Sequence, residues 1–267
     1  MRKVIDCVLY NGEDDIFDLR IQELSLVVDE FWVIEGNYTF TGIPKELSFE
    51  KQALCRKWPM QKIKYFPFLK DAESISSNPW VNEIAQRNYI SCLVKNCGSD
   101  DLILFSDADE IPRPESVSLA RIDAWSNSFG FEMTLHYLKF NFALAGPVAL
   151  KSQVWAVAFS VELLNIFTAD QMRMGIRDRS IPARILENAG WHFSYMMNET
   201  QISDKIKSFS HQEFNTPEFT KSISVQKTLD NREDLLLRDG YIWDYCPIDT
   251  LPKTIRYNLR KYRNQLV

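Results

Sequence analysis

The sequence predicts an α/β fold with a mixed central sheet, and three observations carry that prediction. Short apolar runs alternate with segments of helical periodicity through the N-terminal half. The first runs lead into the turns Asn11-Gly12-Glu13-Asp14 and Glu35-Gly36-Asn37, as strand ends do. Beyond Pro114 the alternation gives way to aromatic-rich stretches that suit antiparallel or mixed strands.

Val4–Tyr10 is the first expected strand. Asp14 or Asp15 can cap the helix that follows, in which Phe17, Ile21, Leu24 and Val28 recur at helical spacing. Phe31–Ile34 is the second strand, residues 46–58 a second helix and Ile63–Phe68 a third strand. After the polar stretch Asp71–Pro79, a helix is expected at Trp80–Lys95 and a strand at Leu102–Phe105. This order makes a parallel, right-handed sheet, and in such sheets ligands sit outside the C-terminal strand ends. Glu35, Asn37, Asp107 and Asp109 all fall at such ends, so residues far apart in sequence converge on one edge. Further on, Pro114–Trp125 suits a helix, Phe129–Phe142 and Val154–Phe159 suit strands, and Gly190–Tyr195 suits a short strand. Ile202, Ile206 and Phe209 share a helical face that runs to Ser210-His211-Gln212-Glu213, and residues 222–238 suit another helix. Residues 251–267 read as a basic C-terminal helix with Ile255, Leu259, Tyr262 and Leu266 on one stripe.

At 267 residues, 45% hydrophobic and 13% aromatic, the chain can bury a large core. No biased linker and no internal repeat interrupts it, so residues 1–267 are expected to form one domain. A net charge of −5, from 31 basic and 36 acidic side chains, argues against a nucleic-acid partner. Cys7, Cys55, Cys92, Cys97 and Cys246 form no Cys-x-x-Cys pair and fit free thiols in a reducing compartment. The N-terminus lacks an apolar stretch of signal or anchor length, and nothing elsewhere approaches a transmembrane span. A cytoplasmic location is the corresponding expectation. Lys253, Arg256, Arg260, Lys261 and Arg263 could hold the protein peripherally at the inner face of an anionic membrane.

Residues 102–114 read Leu-Ile-Leu-Phe-Ser-Asp-Ala-Asp-Glu-Ile-Pro-Arg-Pro, an apolar strand that runs straight into an acidic cluster. Asp107 and Asp109 at a strand end are hard oxygen ligands that suit Mg²⁺ or Mn²⁺, and those ions bridge substrate phosphates. The plain alternative is a solvated acidic turn. Phosphate-binding and dinucleotide glycine motifs are absent, and so is a nucleophile elbow. The histidines are His136, His192 and His211. His192, in Trp191-His192-Phe193, is the candidate third ligand, and His211 at a polar helix end is its rival; a satisfied structural histidine is the alternative. Arg87 could clamp a phosphate or the acidic loop through forked bonds, or simply lie on a solvated helix face. Trp191, Tyr195, Trp243 and Tyr245 could stack on sugar rings or fill the core.

Asp6-Cys7 with Tyr10-Asn11-Gly12-Glu13, then Leu19-Arg20, Glu23-Leu24 and Val28-Asp29-Glu30-Phe31, resemble the opening of glycosyltransferase family 17. Glu35-Gly36-Asn37-Tyr38-Thr39-Phe40-Thr41-Gly42 with Pro44-Lys45 continues the resemblance. Asp100-Asp101, Ser106-Asp107-Ala108-Asp109-Glu110-Ile111-Pro112 and Gly190-Trp191-His192-Phe193-Ser194 follow in the same order, over roughly residues 4–215. The resemblance implies a GT-A-like, Rossmann-like nucleotide-sugar fold, a UDP-sugar donor, a divalent metal and inversion at the anomeric carbon. It also implies transfer of N-acetylglucosamine to a glycan or glycolipid acceptor. The nucleotide-binding half would be about residues 1–115 and the acceptor-side half about 116–250. Without the anchor of the secretory-pathway members, the chain resembles a soluble bacterial or viral relative.

On this reading Asp109 ligates Mn²⁺ or Mg²⁺ directly, Asp107 contacts the metal through water or the donor ribose, and His192 is the third protein ligand. The metal stabilises the departing UDP. Arg87 clamps phosphate or the acidic loop, and Glu35 and Asn37 line the uridine pocket. The general base is Glu213, with Asp170 the alternative, though either could be a surface carboxylate. Two other classes compete. A metal-dependent nucleotidyltransferase or phosphohydrolase also uses paired carboxylates on an α/β sheet. A non-catalytic carbohydrate-binding protein would use its aromatic platforms alone.

Overall fold

A computed structural model describes residues 2–146, 153–210, 212–216 and 223–267. Strands β1 (Val4–Tyr10), β2 (Glu30–Gly36), β3 (Ile63–Phe68) and β4 (Leu102–Asp107) pair in parallel, in the order β3-β2-β1-β4. Helix α1 (Asp14–Leu24), helix α2 (Phe49–Arg56), and α3 (Pro79–Asn88) with its short continuation α4 (Ile90–Leu93) make the connections. Strand β1 is buried along its whole length, which is why it reads as an apolar run broken only by Asp6. Its residues alternate between faces. Val4, Val8 and Tyr10 join the core cluster that includes Phe17 and Leu19 of α1; Ile5, Cys7 and Leu9 join the cluster on the other face.

The chain then reverses through β5 (Glu110–Pro112) and α5 (Pro114–Ile122) into β6 (Ser128–Tyr137), β7 (Lys139–Leu144) and β8 (Gln153–Ser160). Strand β8 pairs antiparallel with both β4 and β6, extending the parallel half into a mixed sheet. Helix α6 (Ala169–Arg177), opened by a capping box between Thr168 and Gln171, packs on β8. Strand β9 (Arg184–Ser194) runs parallel to β6 and antiparallel to β5. Helices α7 (Glu199–Ser208) and α8 (Val225–Asn231), strand β10 (Trp243–Tyr245), and the short helices α9 (Lys253–Tyr257) and α10 (Leu259–Tyr262) follow among the described residues. Among the described residues the sheet has ten strands, with the main path β10-β7-β6-β8-β4-β1-β2-β3. The α/β class with a mixed central sheet is therefore the fold that forms.

Several expected elements change at their ends. The helix expected at Trp80–Lys95 breaks at Tyr89 into α3 and α4. The aromatic run at Phe129–Phe142 divides where Leu138 turns left-handed, at φ 64°, so β6 and β7 form a hairpin. The helix expected at 222–238 has its described part at Val225–Asn231 and stops at Arg232, at φ 55°. Neither Asp14 nor Asp15 is the cap of α1: that position is Glu13, and Asp14 accepts from the Tyr10 hydroxyl. The single basic helix expected at 251–267 does not form. Asn258 separates α9 from α10, and a 3-10 turn, Arg263–Gln265, follows. Ile255 and Tyr262 of the expected stripe are packed in the core, while Leu259 faces out. Among the described residues no helix is long and apolar enough to cross a membrane.

Candidate active site

The acidic turn lies where β1 and β4 end, with Leu9 opposite Asp107 in the parallel register. Strand alternation divides the turn between two faces. Ser106 meets α1 on one face, and Asp107 meets α3 and α6 on the other. On the α1 face Arg20 and Asp6, both fully enclosed, form a forked pair with contacts of 2.7 and 2.6 Å. Arg20 also donates to the carbonyls of Asp107 (3.1 Å) and Glu110 (2.8 Å) and to Ser106 Oγ (2.7 Å). The backbone of the turn is thus held from beneath by one side chain.

On the opposite face Arg173 forks onto Glu110, at 2.9 and 2.8 Å, and reaches Asp107 Oδ2 at 2.9 Å. Arg87 joins Glu83 one turn earlier on α3, Asp170 at 3.0 Å and Asp107 at 3.8 Å. Partial desolvation alone would raise the pKa of Asp107. Arg173, then Arg87 and Arg177, outweigh it and hold the carboxyl well below the usual range, so Asp107 is ionised at neutral pH. Burial raises the pKa of Glu83, whose carboxylate also accepts from Ser210 just beyond α7.

Strand β9 is joined directly to the turn. Glu110 faces His192 in the β5–β9 register, and the Phe193 amide donates to the Asp109 carbonyl at 2.8 Å. This brings His192 Nε2 to 3.7 Å from Asp109 Oδ1, while Lys205 of α7 approaches Asp109 Oδ2 at 3.4 Å. Burial lowers the pKa of His192 against the pull of Asp109, Glu110 and Asp107, which leaves the imidazole neutral at pH 7. Its Nδ1 is buried without a hydrogen-bond partner among the described residues. Glu13, between β1 and α1, interacts electrostatically with Lys205 and Asp109, and burial raises its pKa.

Of the site residues expected from the sequence, Asp107, Asp109, His192, Arg87 and Asp170 converge here. Glu35 and Asn37 lie apart from this cluster, each engaged by protein partners. Glu35 is fully buried and accepts from Lys45, from the Ser48 amide and hydroxyl, from the Phe49 amide and from the Tyr65 hydroxyl, which ties it to the start of α2. Asn37 lines a crevice at the ends of β2 and β3, but its amide bonds both the N–H and the C=O of Lys70. Glu213 is exposed on the 3-10 turn Gln212–Phe214, and His211 lies outside the described residues. Trp191, Tyr195 and Trp243 are core side chains; Tyr245 is the partly exposed one of the four aromatics.

Arg20, Glu110, Arg173, Arg177, Lys205 and Glu13 belong to the site, yet the sequence alone singles out none of them. Arg20, Glu13 and Glu110 lie inside family-like segments, and that was the available signal. Arg173, Arg177 and Lys205 lie on amphipathic helices whose charges look like solvated faces.

Among the described residues no three His, Cys, Asp or Glu side chains form a metal-binding group. Two hard carboxylates are present, with a neutral imidazole beside one of them. The side chain of Asp107 is 43% exposed. Such a donor set fits a Mg²⁺- or Mn²⁺-like ion that takes one or two carboxylates from the protein and its other ligands from phosphate and water. It does not fit a closed, all-protein metal site.

The sequence model of glycosyltransferase family 17 matches residues 1–245. The human β-1,4-mannosyl-glycoprotein 4-β-N-acetylglucosaminyltransferase is 26% identical over 240 residues, and the rat enzyme of the same name is 25% identical. Each match covers 80% of this chain and 44% of the relative, so the chain spans less than half the length of the curated relatives it matches. Among solved structures, a mannosyltransferase from Pyrobaculum calidifontis in complex with GDP-mannose and Mn²⁺ is 9% identical with a TM-score of 0.42, over 78% of this chain and 62% of that one. A galactosyltransferase in complex with donor and acceptor sugar analogues is 8% identical with a TM-score of 0.39, over 99% and 96%.

Proposed function

The chain belongs to glycosyltransferase family 17, and on that premise we propose that it moves a sugar from a nucleotide-sugar donor to a glycan acceptor at the acidic turn. The observation that carries the proposal is the turn itself. Asp107-Ala108-Asp109-Glu110 sits at the strand ends, surrounded by Arg87, Arg173, Lys205 and His192 from four separate elements. The finer reading is a UDP-linked N-acetylglucosamine donor, a glycan or glycolipid acceptor and inversion at the anomeric carbon. A divalent ion, Mn²⁺ or Mg²⁺, would be held by Asp109 and Asp107 with His192 alongside, and would supply charge neutralisation at the diphosphate.

The protein's own groups set the stage for that step. Arg173 and Arg87 keep Asp107 ionised and fixed in direction. Arg20 fixes the backbone that carries both aspartates. Inversion needs a base beside the acceptor hydroxyl, on the face opposite the leaving group. Asp170 accepts from Arg87 at 3.0 Å, so protonating it would weaken an ion pair. Glu213 stands on the exposed turn beyond α7. Glu13, beside Lys205 and with a raised pKa, is a third candidate that the fold adds.

The test is a panel of UDP- and GDP-sugars with Mn²⁺, with Mg²⁺ and with EDTA, read by nucleotide release and product mass. Metal-dependent transfer from one donor is expected. Asp109→Asn should reduce it by roughly 100-fold or more while melting close to the parent. Cleavage of simple phosphodiesters without sugar transfer would replace this reading with nucleotidyltransferase or phosphohydrolase chemistry. Glycan binding that ignores both EDTA and Asp109→Asn would replace it with a carbohydrate-binding role.

A further inference from the structure

Arg20, Arg87 and Arg173 each end on carboxylates, but Arg177 does not. Among the described residues its guanidinium makes no hydrogen bond and no ion pair; it lies against the ring of Trp155, 5.0 Å from Cζ to centroid. It stands one helical turn beyond Arg173 on α6, so both side chains leave the same face of the helix. Trp155 in turn meets His192 edge-on, at 4.3 Å between ring centroids. An uncommitted, half-buried guanidinium therefore lies on an aromatic shelf beside the acidic turn. Burial lowers its pKa, Arg173 adds to that, and Glu110 and Asp107 act in the opposite direction. Arginine nevertheless stays charged in proteins. A partly desolvated cation with no ion-pair partner in contact among the described residues is unfavourable, and an anion of the right shape relieves it.

We propose that Arg177 binds the diphosphate of the nucleotide-sugar donor, with Trp155 holding its guanidinium plane in place. The inference rests on the glycosyltransferase reading and deepens it by naming the cation that receives the leaving diphosphate. The planar fork of arginine matches two phosphate oxygens. Arg87, the sequence's candidate for this task, is already neutralised by Glu83, Asp170 and Asp107, and Arg173 by Glu110 and Asp107. Of these arginines, Arg177 is the one that no carboxylate contacts among the described residues.

Calorimetric titration of the full chain with UDP, uridine and inorganic pyrophosphate, in Mn²⁺, tests the assignment on the parent, Arg177→Gln and Arg177→Lys. Arg177→Gln should weaken UDP and pyrophosphate by about 10- to 100-fold and leave uridine unchanged. Arg177→Lys, which keeps the charge and loses the fork, should fall between. It also serves if Arg177→Gln does not fold, because its UDP-to-uridine affinity ratio must then drop. Parent-like UDP affinity in the variants overturns the inference. So does equal weakening of UDP and uridine, which would mean that Arg177 only shapes the site. If the parent binds neither UDP nor pyrophosphate, the UDP-sugar glycosyltransferase reading itself fails, and this inference fails with it.

Discussion

Arg20 donates from all three of its nitrogens, and every acceptor lies in or under the acidic turn. The attraction between buried charges is largely offset by their desolvation, so the Arg20–Asp6 pair contributes geometry more than stability. Removing one partner is different. Arg20→Met leaves Asp6 buried and unpaired and strips donors from the carbonyls of Asp107 and Glu110. It should cost about 3–5 kcal/mol. The double variant Arg20→Met, Asp6→Leu should cost clearly less than the sum of the two single changes, because no lone charge remains. Transfer should stay low in all three variants, since none can hold the turn. Denaturant midpoints for the four proteins of the cycle, with donor kinetics on each, check this. Additive costs would show that the pair is not coupled. In the sequence Arg20 stands between Leu19 and Ile21 on a helix, where a helical wheel reads it as a solvated charge. That α1 turns this position onto β1 becomes visible only when the parallel sheet is assembled.

The element that completes the site is β9, and its approach to β5 depends on Gly190. A Cβ at that position would lie 2.5 Å from the Ile111 carbonyl oxygen and 2.9 Å from Pro112 Cα. Both are backbone atoms, so neither can swing aside. Gly190→Ala must push β9 away from β5, and His192, two residues further on, moves with it. The expected cost is about 1–3 kcal/mol of overpacking, with a loss of turnover larger than that destabilisation explains. Thermal melting and metal-dependent turnover on one preparation check it, and parent-like turnover would mean that the β5–β9 junction does not set the site. Elements differed in how plainly the sequence showed them. Strands β1, β2 and β4 were legible because strands buried on both faces are written as apolar runs. Helix α3 could be placed but not oriented, and α6 was not foreseen at all. Glu83 and Arg87 on α3, and Asp170, Arg173 and Arg177 on α6, point inward at the site, and periodicity cannot distinguish that from a face in water.

At the scale of the molecule, residues 253–267 fold back over the α1 side of the sheet. Ile255 and Tyr262 are buried, and Tyr262 meets Phe140 edge-on at 5.6 Å between centroids. Thr254 donates to Glu23 at 2.9 Å, Lys261 to Asp18 at 2.7 Å, and the Val267 amide to Asn141 at 2.9 Å. The apolar stripe was legible in the sequence, but a stripe at helical spacing says only that something covers it, not whether the cover is the domain or a lipid surface. Here the domain covers Ile255 and Tyr262. Membrane contact through this segment could use the outward Tyr257, Leu259, Arg260 and Arg263, so packing and lipid contact can be tested apart. Ending the chain before Lys253 uncovers two large side chains, a loss of about 4 kcal/mol at 1.5–3 kcal/mol each. The melting temperature should fall by about 10 °C. A parent-like melting curve for the shortened chain would refute that packing role. Arg260→Glu with Arg263→Glu reverses two surface charges without touching the core and should melt within about 2 °C of the parent. Sedimentation of the full-length double variant with anionic and neutral vesicles then reads lipid contact without disturbing the core. Selective loss of pelleting on anionic vesicles would support peripheral membrane binding, whereas equal pelleting of variant and parent would leave this segment the single role of closing the sheet.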